Sequence, residues 1–164
     1  TPHGFTLVES LVAITILITA ILGPMSIAAN GIASATYARD QATAFFLAQE
    51  GLEYIRNLRD TNALAGIDWL SGLNACDGSD CTIDSPIGLI SACSGTCPVM
   101  RYDSSTNVYG YDETWAGTNF TRTISITATV PGREIVVSST VAWRRGGLLA
   151  QSMTIQETLF NWHQ

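Results

Sequence analysis

The sequence predicts an α+β fold, in which one long N-terminal helix packs on a small antiparallel sheet. Three observations predict it. Residues 5–29 are almost continuously apolar, residues 30–61 continue with strong helix formers and no proline, and apolar and polar residues alternate beyond residue 120. Long apolar runs and a period near 3.6 are typical of helices, whereas alternation is typical of strands. Residues 62–119, rich in Gly, Ser, Asp and Asn, are expected to form an irregular, variable connection, with one short strand or helix near "PIGLIS".

The first part of the predicted helix is long and apolar enough to cross a membrane. From Leu11 to Ala29 no residue carries a formal charge, and a spanning helix needs about 20 such residues. A cleaved secretory signal would be shorter and would end in a small-x-small cleavage pattern. An ordinary membrane anchor leaves Glu9 unexplained, because a carboxylate at membrane depth is costly and usually marks function.

The second part of the helix is predicted to be amphipathic and to pack against the rest of the chain. Its apolar residues recur at spacings of three and four, namely Phe45, Ala48, Leu52 and Ile55. One helix would therefore run from near residue 5 to near residue 60, a length of roughly 80 Å. Gly23 and Pro24 interrupt it. Because proline removes a helical hydrogen bond, we expect a kink or a locally unwound stretch there, which could act as a hinge.

Residues 120–164 are predicted to form an antiparallel meander that packs on this apolar stripe. Alternation places four residues of the first strand on one face: Ile124, Ile126, Ala128 and Val130. The same holds for the second strand: Ile135, Val137, Val141 and Trp143. "LLAQSMTIQETLF" is a third strand or a strand with a tail. Trp143 and Trp162 are interpreted as core or domain-edge anchors.

Four cysteines lie within the connection: Cys76, Cys81, Cys93 and Cys97. Disulfides are typical of exported proteins, whereas a four-thiolate zinc site is typical of cytosolic ones. The membrane-directing N-terminus favours disulfides. Three pairings are possible and the sequence leaves them open; we expect the local pairing, Cys76 with Cys81 and Cys93 with Cys97.

Acidic side chains are frequent in the same connection. A calcium site built from Asp77, Asp80 and Asp84 is conceivable, since calcium takes several oxygen ligands. The EF-hand spacing is absent, so a solvated acidic loop is favoured. Asn119 begins the sequence N-F-T, which matches the short acceptor pattern for glycosylation.

Composition and motifs argue against several functions. The net charge is −6 and there is no lysine, which disfavours a nucleic-acid partner. The two histidines, His3 and His163, lie at the chain ends, where a Ser-His-Asp site is not expected. Neither a P-loop nor a dinucleotide-binding motif is found. We therefore expect a protein that is not an enzyme and binds no cofactor.

The stretch "GFTLVES", followed by the apolar run, resembles the processing and methylation motif of type IV pilins and type II secretion pseudopilins. The family architecture, a long N-terminal helix followed by a small β-rich head, fits the whole chain. "AFFLAQEGLEYIRNLRD" and "VAWRRGGLLAQSMTIQETLFNW" are most similar to the PilV or minor-pseudopilin branch. The resemblance implies a subunit that waits in the bacterial inner membrane. It then enters an extracellular pilus, or the periplasmic pseudopilus of a secretion or DNA-uptake machine.

The resemblance also implies roles for individual residues. A prepilin peptidase would cut after Gly4 and methylate the new amino terminus at Phe5. Glu9 would then neutralise the α-amine of an adjacent subunit. The partners would be copies of this or related pilins, the membrane and the pilus assembly machinery. A third possibility is a membrane-anchored binding domain that never polymerises.

One departure from the family concerns residues 1–4, "TPHG", interpreted as a remnant of the leader. The family's leaders usually carry lysine or arginine before the glycine, and none is present here. If the bond between Gly4 and Phe5 stays intact, no amine forms at Phe5. His3 would then be the alternative partner of Glu9.

Overall fold

The computed structural model describes residue 4, residues 6–145 and residues 149–162, and it confirms the α+β prediction. One helix, α1, spans Leu7–Leu64, and a 3₁₀ turn spans Asn74–Cys76. Seven strands follow: β1 Cys81–Asp84, β2 Leu89–Ala92, β3 Val99–Asp103, β4 Val108–Gly110, β5 Ala116–Val130, β6 Glu134–Arg145 and β7 Leu149–Phe160.

The chain divides into two units, Thr1–Asp40 and Gln41–Gln164, which are described separately. In the first unit, every residue from Leu7 to Ala35 is helical and exposed. The helix continues through Gly23 and Pro24, so the predicted unwound stretch is not found there. Proline has no N–H and cannot bond the carbonyl four residues earlier, at Ala20. The hinge itself stays a prediction.

The second unit, which we call the head, contains a single antiparallel sheet centred on β5. β6 pairs with β5 along nearly its whole length, and β7 pairs with β6. On the other side of β5, β3 pairs with the first half and β1 pairs at Ile124. β2 and β4 lie outside these two strands. The predicted meander of three long strands is therefore present, with two short hairpins added beside it.

The core of the head lies between α1 and the inner face of the sheet. Because a helix repeats every 3.6 residues, α1 buries one stripe: Ala44, Leu47, Ala48, Leu52 and Ile55. The prediction of Phe45 in this stripe is wrong, since its side chain is 39% exposed. Ala44, one position earlier, and Leu47, two positions later, face the sheet instead.

The predicted inner faces of β5 and β6 are largely confirmed. Ile124, Ile126, Ile135, Val137, Val141 and Trp143 are buried. Ala128 and Val130 are exposed, contrary to the prediction. They lie at the end of β5, in the last positions before the turn to β6. Trp162 is 64% exposed and lies over the guanidinium of Arg59, so it is not a core residue.

The prediction that residues 62–119 are irregular is wrong for much of their length. Four strands, β1 to β4, form there, and β2 falls at the predicted "PIGLIS". Each has three to five residues, which is too short for a period of two to be visible in the sequence. Trp69 and Leu73 bury their side chains in the core and fix the start of this segment.

Candidate functional site

Glu9 lies in the first turn of α1 and forms a reciprocal cap with Thr6. The backbone N–H of Glu9 donates to Thr6 Oγ1 at 3.2 Å, and the backbone N–H of Thr6 faces Glu9 Oε2 at 3.5 Å. This is the capping box, in which Thr at the N-cap and Glu three residues later satisfy two N–H groups that the helix leaves unpaired. The sequence signal, T-L-V-E before an apolar run, was present but was not recognised in the sequence analysis.

Three hydroxyl groups of the apolar segment donate to carbonyls of the same helix. Thr15 Oγ1 donates to the carbonyl of Leu11 at 2.7 Å, and Thr19 Oγ1 donates to the carbonyl of Thr15 at 3.0 Å. Ser10 bonds the carbonyl of Thr6 in the same way. These three side chains therefore need no water as a partner, which is the requirement for polar side chains inside a bilayer.

The apolar segment meets the criteria for a candidate membrane span. Within the described residues, α1 is the one helix that qualifies, with a mean hydropathy of 2.3 in its most apolar window and none of that window buried. This supports membrane anchoring in general terms. Gly4, at the predicted cleavage site, is exposed, while Phe5 lies outside the described residues.

The cysteines form two disulfides with the expected local pairing. Cys76 and Cys81 join the 3₁₀ turn to β1, and both are fully buried. Cys93 and Cys97 close the loop between β2 and β3. All four thiols are therefore used, and the zinc alternative does not correspond to the arrangement found.

The three aspartates considered for calcium are not brought together. No cluster of three metal-ligating side chains occurs in the part of the chain that the structure describes. Asp84 instead lies beside β4 and accepts a backbone hydrogen bond from Tyr111, and burial raises the pKa of its carboxyl group. Hydrogen bonds from Ser105 and Thr106 lower the pKa of Asp103 in an exposed turn.

A buried arginine, Arg122, connects α1 with the sheet. Its side chain is fully buried, with Nη1 donating to the carbonyl of Leu47 at 3.0 Å and Nη2 to that of Ile83 at 2.5 Å. Glu50 provides a carboxylate 3.6 Å from Nη1. Burying a cation is costly unless it is hydrogen-bonded and paired. Arg122 therefore fixes the position of the helix over β1 and β5.

Sequence reasoning missed Arg122, although a signal was available. It occupies an inner-face position of β5, in phase with Ile124 and Ile126. A charged residue on the apolar face of an alternating strand predicts either a buried charge with partners or a bend.

The helix approaches the sheet closely at Gly51. A Cβ atom there would lie 2.7 Å from Ile124 Cδ1 and 3.3 Å from Arg122 Cδ. Glycine is therefore required for the close contact that brings the Leu47 carbonyl within reach of Arg122.

No family model, curated protein or solved structure matches this chain significantly. The functional argument therefore depends on the residues and geometry described above.

Proposed function

We propose that this chain is a structural subunit of a type IV pilus-like filament, with no enzymatic activity. The observation that carries the proposal is the division of α1. Residues 7–35 are apolar and have no cover from their own chain, whereas residues 44–55 form the core of a folded head. A helix of this kind needs a bilayer or neighbouring helices along one part and is complete along the other.

Assembly would exchange lipid contacts for helix–helix contacts. Apart from the Ala20 carbonyl, which Pro24 cannot bond, the helical hydrogen bonds of the apolar segment are formed within the helix, so it can occupy either a bilayer or a bundle of identical helices. The subunit would first reside in the bacterial inner membrane. After processing, it would join a filament with the helices inside and the heads facing outward.

Glu9 would have two roles in this scheme. In the single subunit it caps α1 through Thr6. A carboxylate has about four lone-pair positions, so one contact to Thr6 leaves room for the methylated amine of a neighbouring Phe5. Pairing the two charges in a low-dielectric core would favour one axial register between subunits.

The experiment that tests filament formation uses filaments sheared from cells that express the full chain. Intact mass and the N-terminal peptide of the subunit are measured. We expect a chain that begins at N-methyl-Phe5. A filament subunit that still contains Thr1 would keep the polymer but contradict the pairing of Glu9 with an amine. Retention of the chain in the membrane would favour a non-polymerising binding domain.

Recovery of short periplasmic assemblies without surface filaments would instead favour a minor pseudopilin of a secretion or DNA-uptake machine.

Two substitutions separate the two roles of Glu9. Glu9→Gln keeps a side chain that can cap α1 but removes the charge, whereas Thr6→Val removes the hydroxyl cap and keeps the charge. We expect Glu9→Gln to insert in membranes normally and to fail in assembly. Thr6→Val is expected to assemble. Normal filament yield from Glu9→Gln would contradict the charge-pairing role.

A further inference from the structure

β7 is an edge strand with few of the features that usually protect an edge. Within the described residues it pairs only with β6, over twelve residues in unbroken register. An edge strand directs half of its backbone N–H and C=O groups away from the sheet, where another strand can bind them. Protected edges carry lysine or other charges, proline, bulges or inward-pointing charged residues. β7 has no lysine, no proline and no register shift, and its one inward-pointing charge is Glu157.

The one charge on β7 is already paired. The carboxylate of Glu157 accepts hydrogen bonds from Nε and Nη2 of Arg56 at 3.1 and 2.6 Å. β7 therefore presents no unpaired charge of its own to a second copy.

The sequence of β7 is nearly symmetric in polarity about Thr154. In L-A-Q-S-M-T-I-Q-E-T-L, residues 149–159, four of the five pairs of positions at equal distances from Thr154 match in polarity, and Ala150 with Thr158 is the pair that does not. Apolar residues match apolar ones (Met153 with Ile155), and polar residues match polar ones (Ser152 with Gln156, Gln151 with Glu157). In an antiparallel pair of identical strands related by a two-fold axis at Thr154, residue i lies opposite residue 308 − i, so this near-symmetry places like side chains opposite each other.

The surface beside this edge is concave and partly apolar. A groove of about 560 Å³ lies between α1 and β7, with Phe46 and Ile155 among its lining residues. Phe46 is 66% exposed. In a two-fold pair, the inner-face side chains of the second β7, Met153 and Ile155, would lie on the same sheet face as this groove.

We propose that β7 pairs with β7 of a second copy of this chain, antiparallel and centred on Thr154, so that two heads share one continuous sheet. The two-fold axis is perpendicular to the sheet. It therefore reverses the direction of the helix segment 41–64 that lies along the sheet face. The pair joins heads whose helices run in opposite directions, as in two adjacent filaments or two opposed membranes, and not neighbours within one filament.

The proposal concerns the head alone and needs neither processing nor filament assembly. It is tested with the full chain in excess detergent, using Thr154→Cys and a short bis-maleimide cross-linker. All four native cysteines are in disulfides, so they do not react. Thr154 is exposed, and in the proposed pair the two Cβ atoms at position 154 lie roughly 5 Å apart.

Thr158→Cys is the matched control, because it is equally exposed on the same strand. Position 158 lies opposite residue 150, so the two copies of residue 158 are roughly 27 Å apart. We expect at least about tenfold more cross-linked dimer from position 154, because the linker spans only the shorter distance. Equal yields at the two positions would contradict the proposal, since association through α1 alone would not distinguish them. Cross-linking of position 154 only to a different protein would also contradict it.

A second pair of variants tests the contact without a cross-linker. Thr154→Lys places two ammonium groups opposite each other, which is unfavourable across antiparallel strands. Thr127→Lys adds the same charge to the same sheet face on β5, an inner strand. Vesicles carrying the full chain are expected to cluster with wild type and Thr127→Lys, and not with Thr154→Lys. Clustering by Thr154→Lys at the wild-type level would overturn the proposal.

Discussion

The two parts of α1 are built from one continuous helix but have different surroundings. From Leu7 to Ala35 every side chain is exposed, whereas the stripe from Ala44 to Ile55 is at most 6% exposed. Helical hydrogen bonds are local and form in both parts. Burial of the side chains is not local, because it requires a second surface on which they pack. The comparison shows that a helix can have its hydrogen bonds formed along its length and still have one part whose side chains pack on nothing in their own chain.

The polar groups of the two parts differ in the same way. In the exposed part, hydroxyl groups such as that of Thr15 bond carbonyls one turn earlier in the same helix. In the head, the carbonyl of Leu47 accepts a hydrogen bond from Arg122, a residue of β5. Hydrogen bonds within the helix, such as that of Thr15, form in any environment. The hydrogen bond from Arg122 holds the helix at one position on the sheet.

Substituting polar residues in the two parts is expected to give the largest difference in the free energy of unfolding of the head. Arg122→Ala leaves a cavity and removes the hydrogen bonds from Arg122 to the carbonyls of Leu47 and Ile83, and should reduce the free energy of unfolding of the head by about 3–5 kcal/mol. Thr15→Ala should leave it unchanged. All four tryptophans lie beyond residue 40, so fluorescence during denaturation of the full chain in detergent reports on the head alone.

Arg122→Met provides a control for volume, because methionine refills much of the cavity and the Glu50 carboxylate, which is 38% exposed, is left in contact with water. It should recover most of the loss. Substitutions at the surface usually change the free energy of unfolding by less than about 1 kcal/mol. A loss that small in Arg122→Ala would contradict the structural role assigned to this arginine.

The disulfides stabilise the head only, and they should do so unequally. Replacing Cys76 and Cys81 by serine should cost about 2–4 kcal/mol, because closing a short loop is worth about 2 kcal/mol and both side chains are buried. Replacing Cys93 and Cys97 should cost about 2 kcal/mol, the loop-closure part alone. Denaturation midpoints of the two double variants provide the measurement. A larger effect from the second pair would contradict this ranking.

The same substitution should have opposite effects in the two parts of α1. Gly51→Ala places a Cβ against Ile124 and should destabilise the head by about 1–2 kcal/mol. At Gly31 a Cβ meets no atom within 4 Å, so Gly31→Ala should favour the helix by about 0.5–1 kcal/mol. Circular dichroism and tryptophan fluorescence distinguish helix content from head stability. A stabilised head in Gly51→Ala would show that the close approach of α1 to the sheet is not needed.

The smallest effects concern pH and are confined to the head. Burial raises the pKa of Asp84 above its ordinary value of 3.8. The protonated carboxyl group therefore stabilises the head fully below pH 3.8, and this stabilisation is lost as the pH rises through the raised pKa. Asp84→Asn should therefore stabilise the head slightly at pH 7 and not at pH 3. Asp103 has a lowered pKa, and its contribution is present above 3.8 and is lost as the pH falls. Asp103→Asn should slightly destabilise the head at pH 7. Parallel pH profiles for both variants would contradict these assignments.

Several elements were predictable from the sequence because their signals are long. The apolar run, the amphipathic continuation and the alternation of β5 and β6 each extend over ten or more residues. The short strands β1 to β4 were not predictable, because their pairing depends on β5 and on buried residues far along the chain. The error at Phe45 has a related cause. Periodicity gives the width of an apolar stripe, but the partner surface decides which of two adjacent positions is covered.

The candidate site was predictable only in part. A lone charge beside an apolar run singles out Glu9, whereas its cap with Thr6 is indicated only by the T-L-V-E spacing of residues 6–9. Arg122 was missed because alternation was read from the apolar residues alone. Both omissions concern polar groups whose partners are backbone atoms, which a search for pairs of side chains does not reveal.

The continuity of α1 also has a mechanical consequence. The helix runs from Leu7 to Leu64 without a loop, so the apolar segment and the stripe in the core of the head belong to one helix. A pull on the apolar end is delivered through the helix backbone directly to the contacts around Arg122 and Gly51. Such a load would shear α1 along the sheet face and break many contacts at once. The contacts that stabilise the head at rest would therefore also set the force that it withstands.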